Sequence, residues 1–171
     1  MQAFVKRMAA AMVFFRRIVG VFLVVIATQQ LGADSSNPYD ESADARADIS
    51  AALARAGVEN KLMLVTFGAN WCPDCRAFDK AIHEPELAAT IDERYVLVKV
   101  DVGNWDKNVD IVQRFGNPIA GGIPSIVVLD AQEHKLYATM AGQLASSRNL
   151  SPTEFARFFE AMSQLKFQPP E

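Results

Sequence analysis

The chain has 171 residues, half of them hydrophobic, with 17 basic against 20 acidic side chains and a net charge of −3. That length suits one domain with a substantial core, and no internal repeat argues for a solenoid. The acidic balance excludes the electrostatic footprint of a nucleic-acid binder, and two cysteines in all exclude a disulfide-dense scaffold.

The first thirty-three residues stand apart. Lys6, Arg7, Arg16 and Arg17 are the only charges before Asp34, and "IVGVFLVVIA" follows at 18–27. A basic stretch, a short apolar run and an exit with small residues form the pattern of a secretory signal. The apolar run is well short of the roughly 20 residues that span a bilayer. Two readings stand for 1–33: a signal peptide cleaved after Ala33, or a retained membrane anchor through 18–27. Without its four basic residues the balance becomes 13 against 20, a net of −7. Proteins or small thiols are then the expected partners, and nucleic acid is not. The polar, turn-rich "DSSNPYDESAD" at 34–44 reads as a linker, and the folded body is expected over 45–171.

An alanine-rich stretch from Ala43 to Ala56, with Ile49 and Leu53 at helical spacing, predicts a helix ended by Gly57. "KLMLVTF" at 61–67 is a continuous apolar run, the pattern of a strand buried on both faces of an α/β sheet. "NWCPDCRAF" follows at 70–78 and opens a second helix, with Pro73 at the first position, where a missing N–H costs nothing. Helix resumes after a break near Pro85. "YVLVKVDV" at 95–102 predicts a strand and "NVDIVQRF" at 108–115 a short helix closed by Gly116. "GGIPSIVVLD" at 121–130 turns into a third strand, and "HKLYATM" pairs with it through a hairpin near Ala131–Glu133. Ser151-Pro152-Thr153-Glu154 is a capping box with proline at its first turn. Phe155, Phe158, Phe159 and Met162 then form an apolar stripe that belongs to the core.

The chemistry lies in Cys72 and Cys75. A bond between them closes almost no loop and adds little stability through chain entropy. A structural zinc site needs four ligands. The chain adds only His83 and His134, which read as ordinary surface histidines, so no metal is expected. Copper held by the two thiols alone stays as an alternative. Cys72 at a helix N-terminus meets unpaired amides and the positive end of the dipole, which favour its thiolate. Cys75, one turn on, is placed to displace whatever Cys72 captures. Cys72 is therefore the nucleophile and Cys75 the resolving thiol, with Trp71 screening the pair. Pro73 and Asp74 between them tune the couple. The Asp74 carboxylate should raise the Cys72 pKa and favour a reductase or isomerase poise. No cofactor is expected beyond the Cys72–Cys75 disulfide itself.

"LVTFGANWCPDC", with "GGIPSIVVLD" about fifty residues later, resembles the thioredoxin superfamily over roughly residues 45–165. The resemblance implies an α/β thioredoxin fold with a central mixed β-sheet flanked by helices. It implies a cis Ile123-Pro124 peptide facing the cysteines, with the Ile123 backbone pairing with a substrate strand. Trp71, Ile123 and Pro124 become the expected substrate-binding residues. "WCPDC" also resembles exported thioredoxin-like proteins and the thiol-delivering domains of periplasmic disulfide reductases. That implies a periplasmic or otherwise exported monomer, acting on envelope-protein disulfides and recharged by an upstream thiol donor. The chain departs from the family at Thr66, which stands where a buried acid often assists the resolving cysteine. A hydroxyl cannot serve as a base at neutral pH. Lys99 matches the lysine that partners that acid and is a redox-tuning candidate without it. The segments 116–122 and 142–152 look longer than in a minimal thioredoxin, either lining the substrate side or forming plain surface loops. The competing class is a non-catalytic thioredoxin-like binding module or a copper-handling protein using the same two thiols.

Overall fold

A computed structural model describes residues 37–166, so the leader expected over 1–33 lies outside the described residues. Helix α1 spans Ala45–Glu59. Asp44 caps it by accepting the Arg46 and Ala47 amides, each at 3.1 Å. It runs through Gly57 and stops at Asn60, which takes the left-handed conformation (φ 55°) in place of the expected glycine stop.

Strand β1 (Leu62–Gly68) is buried along its full length. Helix α2 (Pro73–Ile82) follows the cysteine loop, and α3 (Pro85–Arg94) follows a break at His83–Glu84. Strand β2 (Tyr95–Asp101), the short α4 (Val109–Arg114) and a single 3₁₀ turn at Pro118–Gly121 come next. Strand β3 (Ser125–Leu129) begins later than its apolar pattern suggests, because 118–121 are spent in that turn. Strand β4 (Lys135–Ala138), a 3₁₀ turn at Ser147–Asn149 and α5 (Pro152–Ala161) complete the order.

The sheet is mixed, in the order β2-β1-β3-β4. β1 pairs in parallel with β2, while β3 runs antiparallel to both β1 and β4. Alternation along β1 divides the core. Met63, Val65 and Phe67 join Ile49, Ala52, Ile111 and Val112 on the side of α1 and α4. Leu62 and Leu64 join Phe78, Ile82, Ile91, Phe155 and Phe159 on the side of α2, α3 and α5. The capping box at Ser151 is present: its hydroxyl takes the Glu154 amide, and the Glu154 carboxylate returns to the Ser151 N–H at 2.7 Å. Phe155, Phe159 and Met162 are buried, while Phe158 packs partly exposed against Tyr137.

The segment expected as a linker contributes to this body. Tyr39 is 3 % exposed. Its backbone N–H donates to Asn70 Oδ1 at 2.9 Å, and its carbonyl accepts from Asn70 Nδ2 at 2.8 Å. Nothing local predicts this, because Tyr39 stands alone in a polar run.

Candidate active site

The loop from β1 to α2 places both sulfurs at the C-terminal end of the central strand. Cys72 is the N-cap of α2 in an extended conformation (φ −79°, ψ 115°), with Pro73 in the first turn. Both cysteines are buried and both are free thiols. Cys72 Sγ accepts the Cys75 backbone N–H at 3.2 Å, and as a thiol it donates to the Ile123 carbonyl at 3.6 Å. The Ile123-Pro124 peptide is cis. The loop that presents it is pinned by close backbone approach: a Cβ on Gly121 would fall 2.4 Å from the Gly142 N. The two segments that look long in sequence thus meet beside the dithiol.

The two thiols differ in acidity. The Cys72 pKa is lowered to about 7, first by a hydrogen bond from the Cys75 thiol, then by the Cys75 and Asp74 amides at the helix start. Burial and the Asp74 charge oppose that trend without reversing it. Cys75 is pushed strongly upward by its bond to Cys72 and by burial. The Asp74 contribution has the expected sign, and the hydrogen bonds to Cys72 outweigh it. Asp74 is tied elsewhere: its Oδ1 accepts the Arg148 backbone N–H at 3.0 Å and lies 3.7 Å from the Arg148 guanidinium.

Lys99 is not without an acid. Its ammonium pairs with the carboxylate of Asp79 on α2, which is nearly buried. Thr66 and Lys99 are register partners on β1 and β2 and so share a face of the sheet. Asp79 follows Cys75 by four residues and lies on the same face of α2. The carboxylate that pairs with Lys99 thus comes from the helix, not from β1. The only signal available in sequence was the Cys75–Asp79 spacing. The buried Tyr39 phenol completes the cluster: burial raises its pKa well above the usual phenol value, and the Cys75 sulfur raises it further.

Trp71 is half-exposed, with its indole N–H on the Gly103 carbonyl at 2.8 Å. His83 and His134 are exposed on separate elements, and among the described residues no group of three or more His, Cys, Asp or Glu could hold a metal.

A nucleophile-like thiol at a helix tip, a buried second thiol one turn on and a facing cis-proline loop define a dithiol oxidoreductase site on a mixed-sheet α/β fold. The family model described as thioredoxin-like matches residues 44–131, and the chain belongs to that family. It is similar to a disulphide isomerase from Xylella fastidiosa Temecula1, at 41% identity over 74% of this chain and 97% of that one, with a TM-score of 0.73. It is also similar to a thioredoxin from Thermus thermophilus, at 18% identity over 67% and 81%, with a TM-score of 0.49. None of the curated proteins compared with the chain matches it. The protein is a thiol–disulfide oxidoreductase that acts through a thioredoxin-like fold.

Proposed function

We propose that the protein reduces or isomerises disulfides in exported polypeptides, with Cys72 as the entry sulfur and Cys75 as the exit sulfur. The observation that carries this reading is the contrast between the two thiols, one lowered to about 7 and the other raised. The Cys72 thiolate attacks a substrate disulfide, forming a mixed disulfide and releasing the first substrate sulfur as a thiolate. Cys75 then loses its proton and attacks Cys72 Sγ. The Cys72–Cys75 bond forms, the bond to substrate breaks, and the second substrate sulfur leaves and takes up a proton. Two electrons pass from the dithiol to the substrate. In this reading Asp79, on the Cys75 face of α2, receives the Cys75 proton. Isomerisation uses the first step alone, with a substrate thiol ending the mixed disulfide.

The 41%-identical disulphide isomerase supports the class of reaction. The basic and apolar leader over 1–33 supports an exported setting, either as a cleaved signal or as an anchor, and no described helix is long and apolar enough to cross a membrane. Recharging falls to an upstream thiol donor. Insulin reduction tests the reading. Wild type should be active, Cys72→Ser inert, and Cys75→Ser should accumulate a covalent adduct on Cys72. A reduction potential at the strongly oxidising end would contradict the reductase or isomerase poise. An inactive wild type that binds copper through both sulfurs would instead favour the binding-module reading.

A further inference from the structure

Trp105, in the loop between β2 and α4, is a bulky residue in the left-handed region (φ 70°). That conformation is unfavourable for any residue with a Cβ and persists only where its surroundings enforce it. The enforcement is visible. Asp101 Oδ1 accepts the Gly103 amide at 3.1 Å, Asp106 Oδ1 accepts the Asn104 amide at 2.9 Å, and Asn108 Nδ2 donates to the Asp101 carbonyl at 2.8 Å. The Asp106 N–H closes the turn onto the Val102 carbonyl at 3.1 Å. All this ordering still leaves Trp105 outside both core clusters and about half exposed. Trp105 is 48 % exposed and Trp71 49 %, with ring centroids 6.0 Å apart. The Trp71 indole N–H is held by the same loop, at Gly103. Two large apolar rings are thus fixed side by side in solvent, one of them adjacent in sequence to the entry sulfur.

We propose that Trp105 and Trp71 form an aromatic platform that seats an apolar side chain flanking the cystine of an extended polypeptide substrate. Trp105 is then a specificity-determining residue for the disulfides that reach Cys72. The occupant is apolar rather than cationic because the ring pair offers indole surface and the buried loop carboxylate, Asp101, is already matched by a cation. Asp101 pairs with Lys107 at 3.1 Å, and Asp106 turns one oxygen onto the Asn104 amide. Rigid, preformed aromatic area is also the kind that binds at low entropic cost. The inference rests on the oxidoreductase reading, which places a substrate disulfide at Cys72.

The test uses the full chain and synthetic peptides with one cysteine in disulfide linkage to thionitrobenzoate. The cysteine is flanked by Leu and Phe, by Ser and Asn, or by Lys. Wild type should prefer the apolar flank. With pre-reduced protein in single turnover, the Trp105→Ala ratio of kmax/K1/2 for apolar over polar peptide should fall about tenfold through K1/2, the worth of one aromatic contact. Trp105→Asn, which suits the left-handed backbone, should lose the same preference with an unchanged or higher Tm. Equal losses on all peptides, an undiminished preference, or a wild-type preference for the lysine flank would overturn the proposal. So would a wild-type dimer that the substitution dissociates, since the rings would then serve a second copy. A wild type active on all peptides without preference sinks this inference alone. A wild type that reacts with no disulfide sinks the oxidoreductase reading, and this inference with it.

Discussion

Cys72 and Cys75 lie one turn apart on α2, yet only Cys72 stands where helical amides have no partner of their own. The amides and the Cys75 thiol all donate toward the same sulfur, so its anion is favoured, and Cys75 keeps its proton because that proton is shared with Cys72. Since the thiolate is the alkylated form, the rate at Cys72 should rise with pH along a titration centred near 7, below that of an ordinary cysteine. Iodoacetamide kinetics read by mass spectrometry check this. In the wild type Cys75 should stay sluggish at neutral pH, held by the proton it shares with Cys72 and by burial. Similar rates at both sulfurs would contradict the asymmetry. This pair was legible in the sequence, because spacing, proline and helix start are local facts. The weight of Asp74 was not. Its anchor, Arg148, lies seventy-four residues away, and only the folded chain shows that the carboxylate is already engaged.

Helices and strands whose boundaries rest on local chemistry were equally readable: the capping box of α5, the apolar run of β1, the proline starts of α2 and α3. What stayed hidden is how α2 lies across β2. The family resemblance points to β1 for that acid, at Thr66, whereas Asp79 reaches Lys99 by crossing from helix to strand. The pair links two elements behind the resolving thiol, so removing its negative member should affect both stability and turnover. Asp79→Asn leaves the partly buried Lys99 without its counter-charge, at a cost of about 1–3 kcal/mol. On the proposed proton route from Cys75 to Asp79, decay of a preformed Cys72 mixed disulfide should also slow near neutral pH and recover as the pH rises. Stopped-flow measurement of that decay separates the two effects. An unchanged decay profile in a destabilised variant would leave Asp79 with a structural role only.

Taken together, the elements leave the active-site loop held from a second direction, by the chain that precedes α1. Asn70 grips the backbone of Tyr39 on both sides, the Glu41 carbonyl accepts Lys107 Nζ at 3.1 Å, and Lys107 in turn holds Asp101 at the end of β2. The phenol ring occupies the space that a side chain on Gly68 would need: a Cβ there would lie 2.2 Å from the Tyr39 hydroxyl. Gly68 is therefore glycine to admit Tyr39, and the two sites should be coupled. Gly68→Ala alone should destabilise by about 1–3 kcal/mol through overpacking. Tyr39→Ala alone should cost about 3 kcal/mol or more by opening a cavity. With the ring gone, the added methyl group has room, so Gly68→Ala on the Tyr39→Ala background should cost far less than it does alone. Urea unfolding of the four proteins measures that coupling. Additive costs would mean that the strap is not seated on Gly68, and the dithiol would then be held by its own loop alone.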